Sequence, residues 1–185
     1  MSTQPLKNAI AATRSVLTGV ASDHLNDSTP CAEWDVSGLI NHIVGGQFFF
    51  ASAVNGEKLD GDSPDFASGD FVSAFDEGAK QCIEAFESPD VMERMIELPF
   101  GTMPGSAFVG LAATDTFTHG WDLARATGQS TDLNPELAGY LLEGSKGAIS
   151  DAIRNEQGSP FGFATEAPSG ATKADELAAF LGRQV

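Results

Sequence analysis

The chain has 185 residues, of which 42% are hydrophobic, so it can bury a sizeable core and we expect residues 1–185 to form one domain. Its 10 basic and 26 acidic residues give a formal net charge of −16, which repels phosphate backbones and argues against a nucleic-acid partner. No run reaches the roughly 18 apolar residues of a membrane span, and the first residues lack an apolar leader segment. We therefore expect a soluble, cytoplasmic protein without a membrane partner.

Hydrophobic periodicity predicts an all-α fold with five longer helices and one short C-terminal helix. Asp35 suits the N-cap of the second helix, Asn134 suits that of the fifth, and Gly128 follows the end of the fourth. The predicted helices span residues 4–21, 36–54, 70–87, 105–127, 135–153 and 173–181.

Two segments between these helices are predicted to be non-helical. Residues 56–69 are acidic and rich in turn formers, which is typical of a solvated loop. Residues 91–103 are apolar but interrupted at Pro99-Phe100-Gly101, which predicts an irregular or partly extended crossover. A four-helix bundle needs such a crossover where consecutive helices are not neighbours.

The fourth predicted helix carries three polar groups on one stripe. Asp115, His119 and Asp122 follow one another at spacings of four and three residues, so their side chains project from the same face. That face is also apolar, and an unsatisfied polar group there would cost roughly 2–7 kcal/mol. The groups must be paired, hydrogen-bonded or bound to a metal, and we favour a metal that binds Asp115 and His119.

His42, on the second predicted helix, is the best candidate for a third ligand. Of the other two histidines, His119 is already assigned and His24 lies in a polar run at a helix end. Gly45 and Gly46 follow His42 by one turn, and each costs about 1 kcal/mol relative to alanine in a helix interior. Either the helices pack closely there, or the missing side chains leave room beside His42 for a ligand.

Two imidazoles and one carboxylate make a three-ligand site that leaves coordination positions open. Nitrogen and oxygen donors suit zinc, nickel, iron or cobalt, and zinc is the default by availability. Asp122 would then support the site by accepting a hydrogen bond from an imidazole or from Arg125. The sequence offers no residues that we would assign as catalytic.

Two cysteines, Cys31 and Cys82, are too few for a disulfide framework, and we expect both to be small buried apolar residues. Cys31 precedes the cap of the second helix, and His42 lies about 10 Å further along the axis. A shared cysteine–histidine site would need the loop to fold back, which we do not expect. The consecutive residues Phe48, Phe49 and Phe50 cannot share one helix face, so one ring could contribute to a homodimer contact.

Several motifs closely resemble an actinobacterial family of small metal-binding proteins. The family is related to the N-terminal domain of mycothiol-dependent maleylpyruvate isomerase and, more distantly, to DinB-like bundles. The motifs are Thr29-Pro30-Cys31 with Trp34-Asp35 and His42, Leu98-Pro99-Phe100-Gly101, His119-Gly120-Trp121-Asp122-Leu123-Ala124-Arg125, and Leu177-Ala178-Ala179-Phe180.

The resemblance implies a DinB-like four-helix bundle with a long crossover, short extra C-terminal helices and a divalent metal held by histidine, carboxylate and histidine. Carried over, these ligands are His42, Asp115 and His119. Aspartate replaces the family's glutamate, so Asp115 either reaches the metal directly or binds it through water. The isomerase has a C-terminal domain that helps form its active site, whereas this chain has only a short tail.

The resemblance also implies a function. We expect a metal-dependent enzyme that uses a small-molecule thiol, mycothiol, in the transfer, isomerisation or detoxification of an electrophilic substrate. A non-catalytic metal-binding or sensing protein is the alternative. In a third, purely structural interpretation, Asp115 and His119 form only a hydrogen-bonded pair.

Overall fold

The computed structural model of the chain describes residues 2–57, 64–151, 154 and 162–185, and it is mostly helical. Within these residues there are six α-helices and one two-stranded sheet. The helices are α1 (Gln4–Thr18), α2 (Val36–Asn55), α3 (Phe71–Phe86), α4 (Gly105–Ala126), α5 (Pro135–Ala148) and α6 (Lys173–Phe180), and the strands are β1 (Met95–Leu98) and β2 (Gly101–Pro104).

The predicted caps are confirmed, and every helix begins within one residue of its predicted start. The Asp35 carboxylate accepts the Gly38 N–H at 2.8 Å, and the Asn134 side chain accepts the Leu137 N–H at 3.2 Å. Gly128 follows the C-cap of α4 with a positive φ of 66°, a conformation that glycine adopts without steric cost.

Two predicted helices were too long by three or more residues. The first ends at Thr18 instead of residue 21, because the chain turns at Gly19 and then forms a separate 3-10 turn, Ser22–His24. The fifth ends at Ala148 instead of residue 153, since Ile149 is already extended. Residues 152–153 of that prediction lie outside the described residues, as do residues 58–63 of the predicted loop, whose described part contains a 3-10 turn, Phe66–Ser68.

Helices α1 to α4 form the bundle. Both α1 and α2 pack on α3 and on α4. Helix α1 is therefore diagonally opposite α2 in the bundle, and α3 is diagonally opposite α4. Each of these diagonal pairs needs a long connection, which is the loop at residues 19–35 for the first pair and the β1–β2 hairpin for the second. The predicted partly extended crossover is therefore a regular antiparallel hairpin, with Ile96 opposite Met103.

One continuous hydrophobic core joins all six helices. The fully buried Trp121 of α4 lies between the bundle and the C-terminal helix, and its indole N–H donates to Asp175 of α6 at 2.9 Å. This bond satisfies the buried indole and fixes α6 against α4. The predicted all-α, DinB-like bundle with additional C-terminal helices is confirmed. No helix in the described part of the chain is both long and apolar enough to cross a membrane.

Candidate metal centre

The candidate metal centre lies between two adjacent helices of the bundle. α2 carries His42, and α4 carries Asp115 and His119 one turn apart. Oδ1 of Asp115 lies 3.5 Å from Nε2 of His119 and 3.9 Å from Nε2 of His42. The structure thus brings the three predicted ligands together, with their donor atoms within 4.8 Å of one another.

The His42 ring is fixed by packing, but its Nε2 atom has no hydrogen-bond partner among the described residues. The Trp34 indole stacks on the imidazole with ring centroids 4.4 Å apart. Nε2 of His42 is buried and accepts or donates no hydrogen bond among the described residues. Since a buried polar atom without a partner costs free energy, this nitrogen is free to serve as a ligand atom.

The His119 ring is oriented by a hydrogen bond at Nδ1, the ring nitrogen that does not face Asp115. Its Nδ1 lies 3.0 Å from Oδ2 of Asp122, and because an ionised carboxylate only accepts, Nδ1 carries the hydrogen. Asp122 is fully buried and also accepts two hydrogen bonds from the Arg183 guanidinium, at 2.9 and 3.2 Å. Nε2 of His119 is therefore directed toward Asp115, as in the carboxylate–histidine pairs that support metal ligands.

The charges in this cluster stabilise each other. Burial opposes ionisation of Asp115 and Asp122 and of His119. The charge of His119 nevertheless lowers the pKa of Asp115 well below its usual value, and the charge of Asp115 raises the pKa of His119 well above its own. The pKa of Asp122 is lowered by its hydrogen bond with His119 and by the charge of Arg183.

The donor set fits a divalent transition metal. Ligand atoms about 2.0–2.1 Å from a tetrahedral ion are about 3.3 Å from each other, and the measured 3.5 and 3.9 Å are close to this spacing. Three ligands of this kind leave a coordination position for water or substrate. The shorter aspartate side chain is long enough to place its oxygen beside both imidazoles.

The prediction that the Cys31 loop does not fold back was wrong. The Cys31 thiol donates to Oδ2 of Asp122 at 3.3 Å and lies 3.9 Å from Nδ1 of His119. The loop reverses because Thr29 accepts the Cys31 N–H and donates to the Trp34 carbonyl, and Ser28 pairs with Asp35 in an isolated β-bridge. Cys31 is half-buried, whereas Cys82 is fully buried as predicted.

Cys31, His119 and Asp122 form a second group with metal-ligand chemistry. In this group the Arg183 cation is already bound to Asp122, and a metal would have to replace both that ion pair and the hydrogen bond from His119. This arrangement favours a hydrogen-bonded network that supports the first group.

Of the two partners that we predicted for Asp122, an imidazole or Arg125, the structure has the imidazole of His119, and the guanidinium that also contacts Asp122 is that of Arg183. Arg125 is exposed at the end of α4, while Arg183 reaches Asp122 from the C-terminal tail after α6. No local spacing links residues 61 apart, so the sequence carried no signal for this pair except that a buried carboxylate needs a cation. His24 lies apart from the cluster, where its Nδ1 accepts the Ala21 N–H at the end of a 3-10 turn.

Comparisons with known proteins identify the family of the chain. Residues 6–124, which include all three predicted ligands and Asp122, match the family model described as the mycothiol maleylpyruvate isomerase N-terminal domain. The chain is also 40% identical to Rv0738 and to MT0763, uncharacterized proteins from two strains of Mycobacterium tuberculosis, over 100% of its own length and 97% of theirs. No solved structure matches the chain. The chain therefore belongs to the mycothiol maleylpyruvate isomerase N-terminal domain family.

Proposed function

We propose that this protein binds a divalent metal through His42, Asp115 and His119 and uses it with a small-molecule thiol, mycothiol, to transform an electrophilic substrate. The reaction would be a transfer, an isomerisation or a detoxification. One observation carries the metal proposal: the buried Nε2 of His42 has no hydrogen-bond partner in the described part of the chain, yet it faces two further donor atoms.

Residues around such a site would have two roles, shielding His42 from water and orienting His119. Trp34 stacks on His42 and shields one face of the ring from water. Asp122 and Arg183 hold the His119 ring so that Nε2 faces Asp115. A divalent metal, when bound, would favour the thiolate form of a coordinated thiol near neutral pH.

Zinc is the metal we propose, since two imidazoles and a carboxylate suit it and it is widely available. Nickel, iron and cobalt would accept the same donors. The thiol part of the proposal rests on family membership, because the matching family takes its name from a mycothiol-dependent isomerase.

Metal analysis followed by thiol titration tests the proposal. The full chain, purified without a histidine tag, should contain about one metal ion per chain, as measured by plasma mass spectrometry. His42→Ala should abolish this content, while His24→Ala is the matched control and should retain it. Metal-free wild-type protein that also fails to take up added zinc would refute the site.

Calorimetric titration of the zinc-loaded protein with mycothiol then separates the functional classes. Binding that disappears in the zinc-free protein supports the thiol-dependent enzyme. Zinc without thiol binding would instead support the non-catalytic metal-binding or sensing protein.

A further inference from the structure

Gly46 lies in the interior of α2, one helical turn after His42 and therefore on the same side of the helix. A glycine there weakens the helix relative to alanine. Close packing against a neighbouring segment is the usual reason for a glycine in a helix interior.

Three other glycines in the bundle do have a packing reason, whereas Gly45 and Gly110 have none. A Cβ atom at Gly78 would lie 3.0 Å from Gln47 and Phe48 of α2. A Cβ atom at Gly120 would overlap the Thr13 side chain of α1, and one at Gly105 would overlap the Val91 backbone. These glycines allow neighbouring segments to approach closely.

Gly46 has no such reason either, but unlike Gly45 and Gly110 it lies beside a residue of the candidate metal centre. Among the described residues, the atoms nearest to a Cβ at this position are a Phe50 ring carbon at 3.8 Å and Oδ2 of Asp115 at 3.9 Å, which are ordinary contact distances. The two carboxylate oxygens of Asp115 thus face different surroundings. Oδ1 faces the two imidazoles, while Oδ2 faces the space left by the missing side chain.

We propose that Gly46 determines which thiols fit the site: its missing side chain leaves a recess beside Asp115 that takes the carbon atoms next to the thiol sulfur. One carbon of the otherwise buried Phe50 ring lies 3.8 Å from the Cβ position and provides an apolar contact for those carbons. This inference rests on the proposed function, since it concerns the thiol that would bind at the same metal.

The test compares Gly46→Leu and Gly46→Ala with Gly45→Ala, all introduced into the full chain. Leucine and alanine are strong helix formers, so the variants should not weaken α2. Gly45 is the matched control, because it is the adjacent helix position and its Cβ would contact the Phe66 ring at 3.8 Å rather than a residue of the metal centre.

Three quantities are measured for each variant: the zinc dissociation constant against a coloured chelator, and the calorimetric affinities for N-acetylcysteine and for hydrosulfide. N-acetylcysteine has carbon atoms next to its sulfur, and hydrosulfide has none. We expect Gly46→Leu to weaken N-acetylcysteine binding about tenfold or more, as overfilling a packed space does, with zinc and hydrosulfide binding within about twofold of wild type. Gly46→Ala should show a smaller loss of the same kind, and Gly45→Ala none.

The outcomes separate this inference from the proposed function. Wild-type affinity for N-acetylcysteine in Gly46→Leu, with zinc bound, would overturn the role of Gly46 and leave the proposed function standing. Loss of zinc or hydrosulfide binding in the same variant would also overturn it, because Gly46 would then shape the metal site itself. If Gly46→Leu does not fold, Gly46→Ala decides by the same criteria. A wild-type chain that binds no zinc or no thiol overturns both.

Discussion

Nδ1 of His119 lies 3.0 Å from Oδ2 of Asp122, and this contact joins the candidate metal centre to the C-terminal tail through Arg183. Asp122 is completely buried, and α4 places it one turn after His119. The carboxylate therefore orients the imidazole from the Nδ1 side, whereas Asp115 lies on the side of Nε2, together with His42.

Replacing Asp122 by asparagine should weaken metal binding without abolishing it. The amide keeps the shape of the carboxylate but removes its charge, and losing such a supporting contact typically costs about 10–100-fold in metal affinity. Competition with a coloured chelator measures this loss. The same substitution at the exposed Asp132 serves as the control. If Asp122→Asn abolished metal binding as completely as His42→Ala, Asp122 would itself be a ligand.

Removing the guanidinium of Arg183 should destabilise the fold as well as the site. Arg183→Met leaves the fully buried Asp122 without its cation, and breaking a buried ion pair in this way costs about 3 kcal/mol. Urea denaturation followed by circular dichroism measures the free energy of unfolding. The exposed Arg125→Met provides the matched control, and equal stabilities for the two variants would contradict the importance of the Arg183 contact.

A chelator should lower the melting temperature without unfolding the protein at 25 °C. The core formed by the six helices does not depend on the metal, whereas binding to the native state adds about 3–4 kcal/mol when the metal is at a hundred to a thousand times Kd. A chain of this size would then melt about 10 °C lower after EDTA treatment. Circular dichroism decides the matter, since loss of most helical signal at room temperature would indicate a structural metal.

Gly120→Ala should be destabilising because of the close approach of α1 and α4. Its new methyl group would overlap the hydroxyl of Thr13, which is buried and donates to the Thr116 carbonyl at 2.8 Å. Overpacking of this kind costs about 1–3 kcal/mol. Gly110 lies on the same helix, and a Cβ atom there would meet nothing within 4 Å among the described residues. Gly110→Ala should therefore stabilise the fold by up to about 1 kcal/mol. Urea denaturation of both variants gives the comparison.

Cys82 should make stability fall at alkaline pH. Burial raises the pKa of the Cys82 thiol from 9.0 to about 12. Between these pH values the unfolded chain has lost the thiol proton and the folded chain still holds it, so rising pH favours unfolding. The contribution is fully present below about pH 9 and decreases by about 1 kcal/mol per pH unit above it. Cys82→Ala should remove this part of the slope, and identical pH slopes in the two proteins would contradict the prediction.

The sequence by itself determined the helices and the local geometry of the site. Hydrophobic periodicity and capping residues such as Asp35 and Asn134 act within a few residues, so they can be recognised without the fold. The same is true of the stripe formed by Asp115, His119 and Asp122, because helical spacing alone places them on one face. The metal role of these residues stays a prediction.

Only the tertiary structure decided which distant groups meet. Helix packing places His42 of α2 opposite the α4 stripe, a loop reversal carries Cys31 to Asp122, and the tail after α6 supplies Arg183 in place of Arg125. Such contacts join residues tens of positions apart, and no local periodicity encodes them. The absence of close packing at Gly46 is likewise visible only in the structure, since a glycine in a helix looks the same in sequence whether or not another helix packs against it.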